Sequence, residues 1–157
     1  MTTTRSIIGL AVALAVCFGA AALGGAFTSG AIPGWYAQLS KPAWTPPNQV
    51  FGPVWSALYL MMAVAAWLVW RRGGAIALPL VLFGLQLAFN VAWSGLFFGL
   101  HRPGAAFADI IALWGLILAT LLTFWRVSAP AGVLMAPYLA WVTFAAALNF
   151  SVWRLNS

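Results

Sequence analysis

Gly34-Trp35-Tyr36, Lys41-Pro42-Ala43-Trp44-Thr45-Pro46-Pro47 and Gly52-Pro53-Val54-Trp55 follow one another between two apolar runs, each long enough to cross a bilayer. Three tryptophans and a tyrosine are costly to leave in water, and the five prolines from Pro33 to Pro53 restrict φ and hold the connection in a few shapes. Such a segment, expected as a lid loop over residues 29–49, caps a cavity or lies at the level of the lipid headgroups. Both placements point to an apolar, flat ligand or to the bilayer itself, with Trp44 in the lid as a ligand contact.

The rest of the chain reads as lipid-embedded. With 64% hydrophobic and 5% charged residues, 157 residues would have almost no polar surface to offer water. Five segments reach spanning length, roughly residues 7–28, 50–70, 75–100, 105–125 and 130–153, against about 20 residues needed to cross the hydrocarbon. The expected fold is therefore all-α, a polytopic five-helix membrane bundle forming one domain over residues 1–157, with no internal repeat and no linker long enough to divide it. Gly24, Gly25, Ser29 and Gly30 end the first span, and Arg71-Arg72-Gly73-Gly74 and Arg102-Pro103-Gly104 make tight turns.

The net charge of +6 does not imply nucleic acid, because the basic residues stand singly or in one pair at span ends instead of sharing a face. Arg5, Arg71, Arg72 and Arg126 fall on the side of the N-terminus and Lys41, Arg102 and Arg154 on the other, a bias too small to orient the bundle. Arg5 followed by an apolar run resembles a signal peptide, but the run continues too far for one, and Val16 stands where a lipoprotein cleavage box before Cys17 would need a small residue. Cys17 is alone, so it has no internal disulfide partner.

Helical spacing divides the third span. Gly84, Ala88, Val91 and Gly95 fall within about 60° of one another at 100° per residue, and Gln86, Asn90, Trp93 and Phe97 gather on the opposite side. The small face permits close helix contact, either inside the bundle or across a homodimer. The other face puts two amides at membrane depth, where an unpartnered amide is expensive, so it is expected to face a cavity or other polar groups. Trp55, Tyr59, Met62 and Ala66 share a face of the second span; Tyr138, Ala145 and Asn149 share one in the fifth, with Trp141 at its edge. Three aromatic and polar faces can line one pocket. Trp67, Trp70, Trp125 and Trp153, near span ends, fit an interfacial belt instead.

Enzyme chemistry is sparse. The chain has no Glu, its one acid is Asp109 and its one histidine, His101, lies in a turn, so no acid–base pair, nucleophile triad or metal-ligand cluster can be assembled. Proton-driven pumping lacks convincing protonatable groups at depth. Binding, or tryptophan chemistry on a bound chromophore, remains.

Gly34-Trp35-Tyr36, Lys41 to Pro47, Val50-Phe51-Gly52-Pro53-Val54-Trp55 and Leu58-Tyr59 resemble the first loop and second helix of the TspO/translocator protein family, the tryptophan-rich sensory proteins also called peripheral benzodiazepine receptors. Gln86 to Trp93 with Phe97-Phe98-Gly99 resembles its third helix; Pro137-Tyr138-Leu139-Ala140-Trp141, Leu148-Asn149-Phe150 and Val152-Trp153-Arg154 resemble its fifth. The resemblance implies a five-helix bundle, commonly a homodimer, in a membrane of a bacterial cell envelope. It implies porphyrins such as protoporphyrin IX, haem, and synthetic benzodiazepine or isoquinoline compounds as ligands, with no required cofactor. Trp55, Asn90, Trp93, Trp141 and Ala145 match its ligand-pocket positions, and Trp55 and Trp141 match two tryptophans implicated in light-dependent porphyrin degradation in a bacterial relative. One departure concerns sterols. The animal members' cholesterol pattern needs a Tyr before its final basic residue, and here Phe150 stands between Leu148 and Arg154.

Overall fold

The computed structural model describes residues 2–74 and 76–157, and among these five helices are long and apolar enough to cross a membrane. Helix α1 covers Thr3–Ala31 and continues through a wide π-helical turn, Ile32–Tyr36; α2 covers Asn48–Arg72; α3 covers Ala77–Ser94 and ends in a second wide turn, Gly95–Gly99; α4 covers Pro103–Val127 and α5 Ala129–Leu155. The expected start of the third span, residue 75, lies outside the described residues.

Helix ends follow local chemistry. Gly73 and Gly74 adopt φ of +66° and +77°, a region open to glycine at little cost, and so turn the chain from α2 into α3. His101 at φ +55° performs the same reversal before Pro103, whose missing N–H is harmless in the first turn of α4. Between α4 and α5 a single residue, Ser128, turns extended, and its N–H still bonds to the Phe124 carbonyl at 2.7 Å.

The first span is longer than its sequence suggests. Gly30 and Pro33 read as breakers, yet the chain stays helical to residue 38, with Pro33 placed at the start of the wide turn. The lid loop is therefore residues 39–47, not 29–49, and Trp35 and Tyr36 belong to the end of a helix.

Helices α2, α3, α4 and α5 enclose a core around Met62, Ile117, Met135 and Tyr138, while α1 lies against α2 and α3. Only Cys17, Gly24 and Ala31 are buried on α1, one residue every two turns, so it is a peripheral helix with a narrow contact stripe. The small face of α3 divides. Gly84 and Ala88 are exposed on the outside of the bundle, and a Cβ added at Gly84 meets nothing within 4 Å. Gly95 instead packs inside the bundle, where an added Cβ would stand 3.7 Å from the Phe27 ring of α1, and Val91 is half-buried. The four residues thus do not form one free seam: Gly84 and Ala88 remain available to a partner, and Gly95 does not.

Candidate functional site

A cavity of about 300 Å³ lies between α1, α2, α3 and α5, and no residue of the lid loop lines it. α4 supplies none of the wall. From α1 come small residues, Ala21, Gly24 and Gly25; from α2 Trp55 and Tyr59; from α3 Asn90, Trp93 and Phe97; from α5 Trp141, Phe144, Ala145 and Asn149. The two wide helical turns both border it, through Ile32 and Tyr36 and through Phe97 and Phe98. Such turns swing side chains off the regular helical register.

Aromatic rings form the wall's framework. Trp93 stacks on Phe97 with centroids 5.5 Å apart, Trp141 lies 5.3 Å from Phe144 and edge-on to Phe51 at 6.0 Å, and Trp55 lies 5.8 Å from Tyr59 and edge-on to Tyr138 at 6.2 Å. These are the offset and edge geometries that aromatic quadrupoles favour.

Polar atoms behind this wall are mostly consumed by one another. Tyr59 Oη donates to Asn90 Oδ1 at 3.2 Å, Asn90 Nδ2 donates to Tyr138 Oη at 2.6 Å, and Tyr138 Oη donates to Gln86 Oε1 at 2.8 Å. Gln86 Nε2 reaches Met62 Sδ at 3.7 Å. A second relay runs from Trp93 Nε1 to Asn149 Oδ1 at 2.9 Å and from Asn149 Nδ2 to the Pro103 carbonyl at 2.8 Å. It ties α3, α5 and the first turn of α4 together. One donor is left over: Trp141 Nε1 is buried without a partner in the cavity wall. An unpaired N–H at this depth is expensive unless something arrives to accept its hydrogen bond.

The lid is pinned at its first residues. Lys41 Nζ donates to the Tyr36 and Leu39 carbonyls at 2.8 and 3.1 Å and sits 4.7 Å from the Tyr36 ring, so a cation closes the carbonyl end of the first helix. Asn156 clamps Ser40 from the end of α5, accepting from its N–H at 3.0 Å and donating to its carbonyl at 2.8 Å. Thr45 folds back onto the Pro42 carbonyl through both its N–H and its hydroxyl.

Residues 11–154 match the TspO/MBR family. The chain belongs to that family. It is 40% identical over 156 residues to the tryptophan-rich protein TspO of Chlorobaculum tepidum, across 97% of this chain and 98% of that one. The tryptophan-rich sensory protein of Cereibacter sphaeroides is 41% identical over 139 residues, 87% of each chain, and the human (Homo sapiens) translocator protein 44% over 126 residues, 78% of this chain and 75% of its own. A TspO/MBR chain with five spanning helices is a multi-pass integral membrane protein.

Seven of the nine residues expected to bind ligand line this TspO/MBR cavity: Trp55, Tyr59, Asn90, Trp93, Trp141, Ala145 and Asn149. Tyr138 and Trp44 do not. Tyr138 is fully buried one layer behind the wall, where its hydroxyl joins Asn90 to Gln86, so its role is to position Asn90. Trp44 is 48% exposed and packs edge-on against Phe144, itself a lining ring, at 5.6 Å. Asn90 has both amide atoms engaged by tyrosines, with one N–H of its Nδ2 to spare, and the indole N–H of Trp141 has no partner. His101 is exposed and stacks on Trp35 at 4.4 Å, outside the cavity lining. Asn156, the lid's clamp, carries no signal in the sequence beyond being an amide at a helix end.

Proposed function

We propose that this protein is a membrane receptor for porphyrins and related tetrapyrroles, which it captures in the cavity between α1, α2, α3 and α5. The observation that carries this reading is a wall of three tryptophans, Trp55, Trp93 and Trp141, with one unpartnered indole N–H among them. Flat apolar rings match aromatic faces, and the Trp141 N–H suits an acceptor on the ligand's polar edge. The relatives' names, tryptophan-rich sensory protein and translocator protein, accord with sensing or movement of such a ligand. Haem is accommodated on the same stacking basis, without a histidine for its iron, because His101 lies outside the lining. The volume is at the lower bound of typical ligand pockets, about 300–1,000 Å³, which suits benzodiazepine- or isoquinoline-type compounds directly and requires the cavity to widen for a macrocycle.

Titration of the purified protein with protoporphyrin IX in the dark, followed by quenching of tryptophan fluorescence, tests this reading. Saturable quenching is expected, and Trp141→Phe should weaken it about tenfold, the worth of one well-placed hydrogen bond in a dry site. Quenching no different from that of empty micelles with free tryptophan would end the proposal.

The same protein is read as a homodimer through the outward part of the small face. Gly84→Leu places a bulky side chain where backbones would approach, so a dimeric wild type should become monomeric by light scattering in detergent. Dimer mass unchanged by the substitution would move the seam elsewhere. Sterols are not proposed as ligands: Phe150 has no hydroxyl.

A further inference from the structure

The N-terminal half of α1 is held to α2 through Ser6 and Gly9 but buries little of its own surface. None of its residues before Cys17 is buried, whereas at the other end Gly24 lies against Ser94 and Phe27 against Gly95 and Gly99. The helix therefore diverges from α3 toward its own N-terminus, and a crevice of about 440 Å³ opens between them, floored by Ala66 and Trp70 of α2 and walled by Phe83 of α3. Its lining is apolar except at the mouth. There Arg5 lies 5.8 Å from the Trp70 ring, and Trp67 Nε1 donates to the Ser6 carbonyl at 2.9 Å, fixing the two helix ends together; Arg71, just outside the lining, lies 4.5 Å from the ring of the lining Trp67. Arg72 is exposed beside them. No carboxylate is near: the chain's one acid, Asp109, belongs to the second turn of α4, at the opposite end of the bundle.

We infer that this crevice binds an anionic phospholipid, with its phosphate between Arg5 and Arg71 and one acyl chain lying along Ala13, Ala66 and Phe83. Charge decides the occupant. Two guanidiniums held at a membrane interface by indole faces, with no acid to neutralise them, attract a phosphodiester that brings no cation of its own. A zwitterionic headgroup would carry its own ammonium into the same place. A second copy of the chain, meeting this face symmetrically, would bring its own Arg5, Arg71 and Arg72 against the first set with nothing to offset the repulsion. The tail follows from shape. Ala13 leaves room in the crevice that a larger residue would fill, whereas Gly9 is closed by the Trp70 ring, which occupies the space of a Cβ there.

Native mass spectrometry of the full chain in detergent, titrated with phosphatidylglycerol or phosphatidylcholine of identical acyl chains, tests the assignment. The first phosphatidylglycerol should be retained about ten- to thirty-fold better, the expectation for two arginines near a lipid phosphate. Arg5→Gln with Arg71→Gln should erase that preference, and Arg5→Lys with Arg71→Lys should keep most of it. Should the double glutamine variant not fold, Arg5→Gln alone, at an exposed first turn, should remove part of the preference. Ala13→Leu should lower occupancy by both lipids, because it fills the tail's track. Equal retention of the two headgroups, or a preference that survives the glutamine changes, overturns the proposal. So does undiminished phosphatidylglycerol binding in Ala13→Leu, which would mean a headgroup held on the surface without the crevice. Dissociation of a dimer by Ala13→Leu would make the crevice a seam between copies and overturn it equally.

Discussion

Tyr138→Phe is expected to destabilise the bundle more than removal of any other hydroxyl around the cavity. One oxygen there serves two buried amides, accepting from Asn90 and donating to Gln86. Its loss leaves both amides short of a partner, at a cost of about 1–3 kcal/mol per group in a water-excluded interior. In membrane helices such bonds average closer to 0.6 kcal/mol, because the dispersed helices also find partners. A net loss of about 1–2 kcal/mol follows for Tyr138→Phe. Tyr59→Phe removes a single, longer bond to Asn90 Oδ1, and its expected cost is about 0.5 kcal/mol. Denaturant unfolding in mixed micelles, followed by circular dichroism, measures both. Equal costs would mean that the two tyrosines act by packing alone. The same change should also weaken porphyrin binding, although Tyr138 does not line the cavity, because Asn90 is then free to rotate its amide into the binding space.

That separation between lining and support marks where the sequence stops being informative. Periodicity places Asn90 and Trp93 on an inward face of α3 and Trp55 and Tyr59 on one of α2, because 100° per residue is a property of any helix. It cannot place Tyr138, whose depth depends on how α5 is rotated against its neighbours. Nor does periodicity reveal that Asn90 is held by two tyrosines while the Trp141 N–H has no partner, since partners are set by tertiary contact. Turn chemistry behaves similarly. Gly73-Gly74 ends α2 as read, whereas Pro103-Gly104, read as part of a tight turn, opens α4, and Gly30 and Pro33 do not end the first helix, which runs on through a wide turn. The lid's clamp by Asn156 lies more than a hundred residues from Ser40. Only the fold brings them together.

Light offers the sharpest test of what the tryptophans do. A bound porphyrin is a photosensitiser, and an indole beside it is readily oxidised, so Trp55 and Trp141 either supply a radical step that opens the macrocycle in oxygen or are merely damaged. Both line the cavity, and Trp55 neighbours two further oxidisable rings, Tyr59 in the wall at 5.8 Å and Tyr138 behind it at 6.2 Å. Under illumination at saturating protoporphyrin IX, protein-dependent chemistry should give a defined new absorption band. The double change Trp55→Phe and Trp141→Phe is expected to abolish that band while binding survives about tenfold weakened, since phenylalanine keeps the apolar face but lacks the indole N–H and its low oxidation potential. If binding and product vanish together, the tryptophans serve to hold the ligand, and the product says nothing about chemistry. If illuminated wild type shows only the bleaching of free porphyrin, no degradation occurs, and capture in a cavity that must widen describes a receptor or carrier.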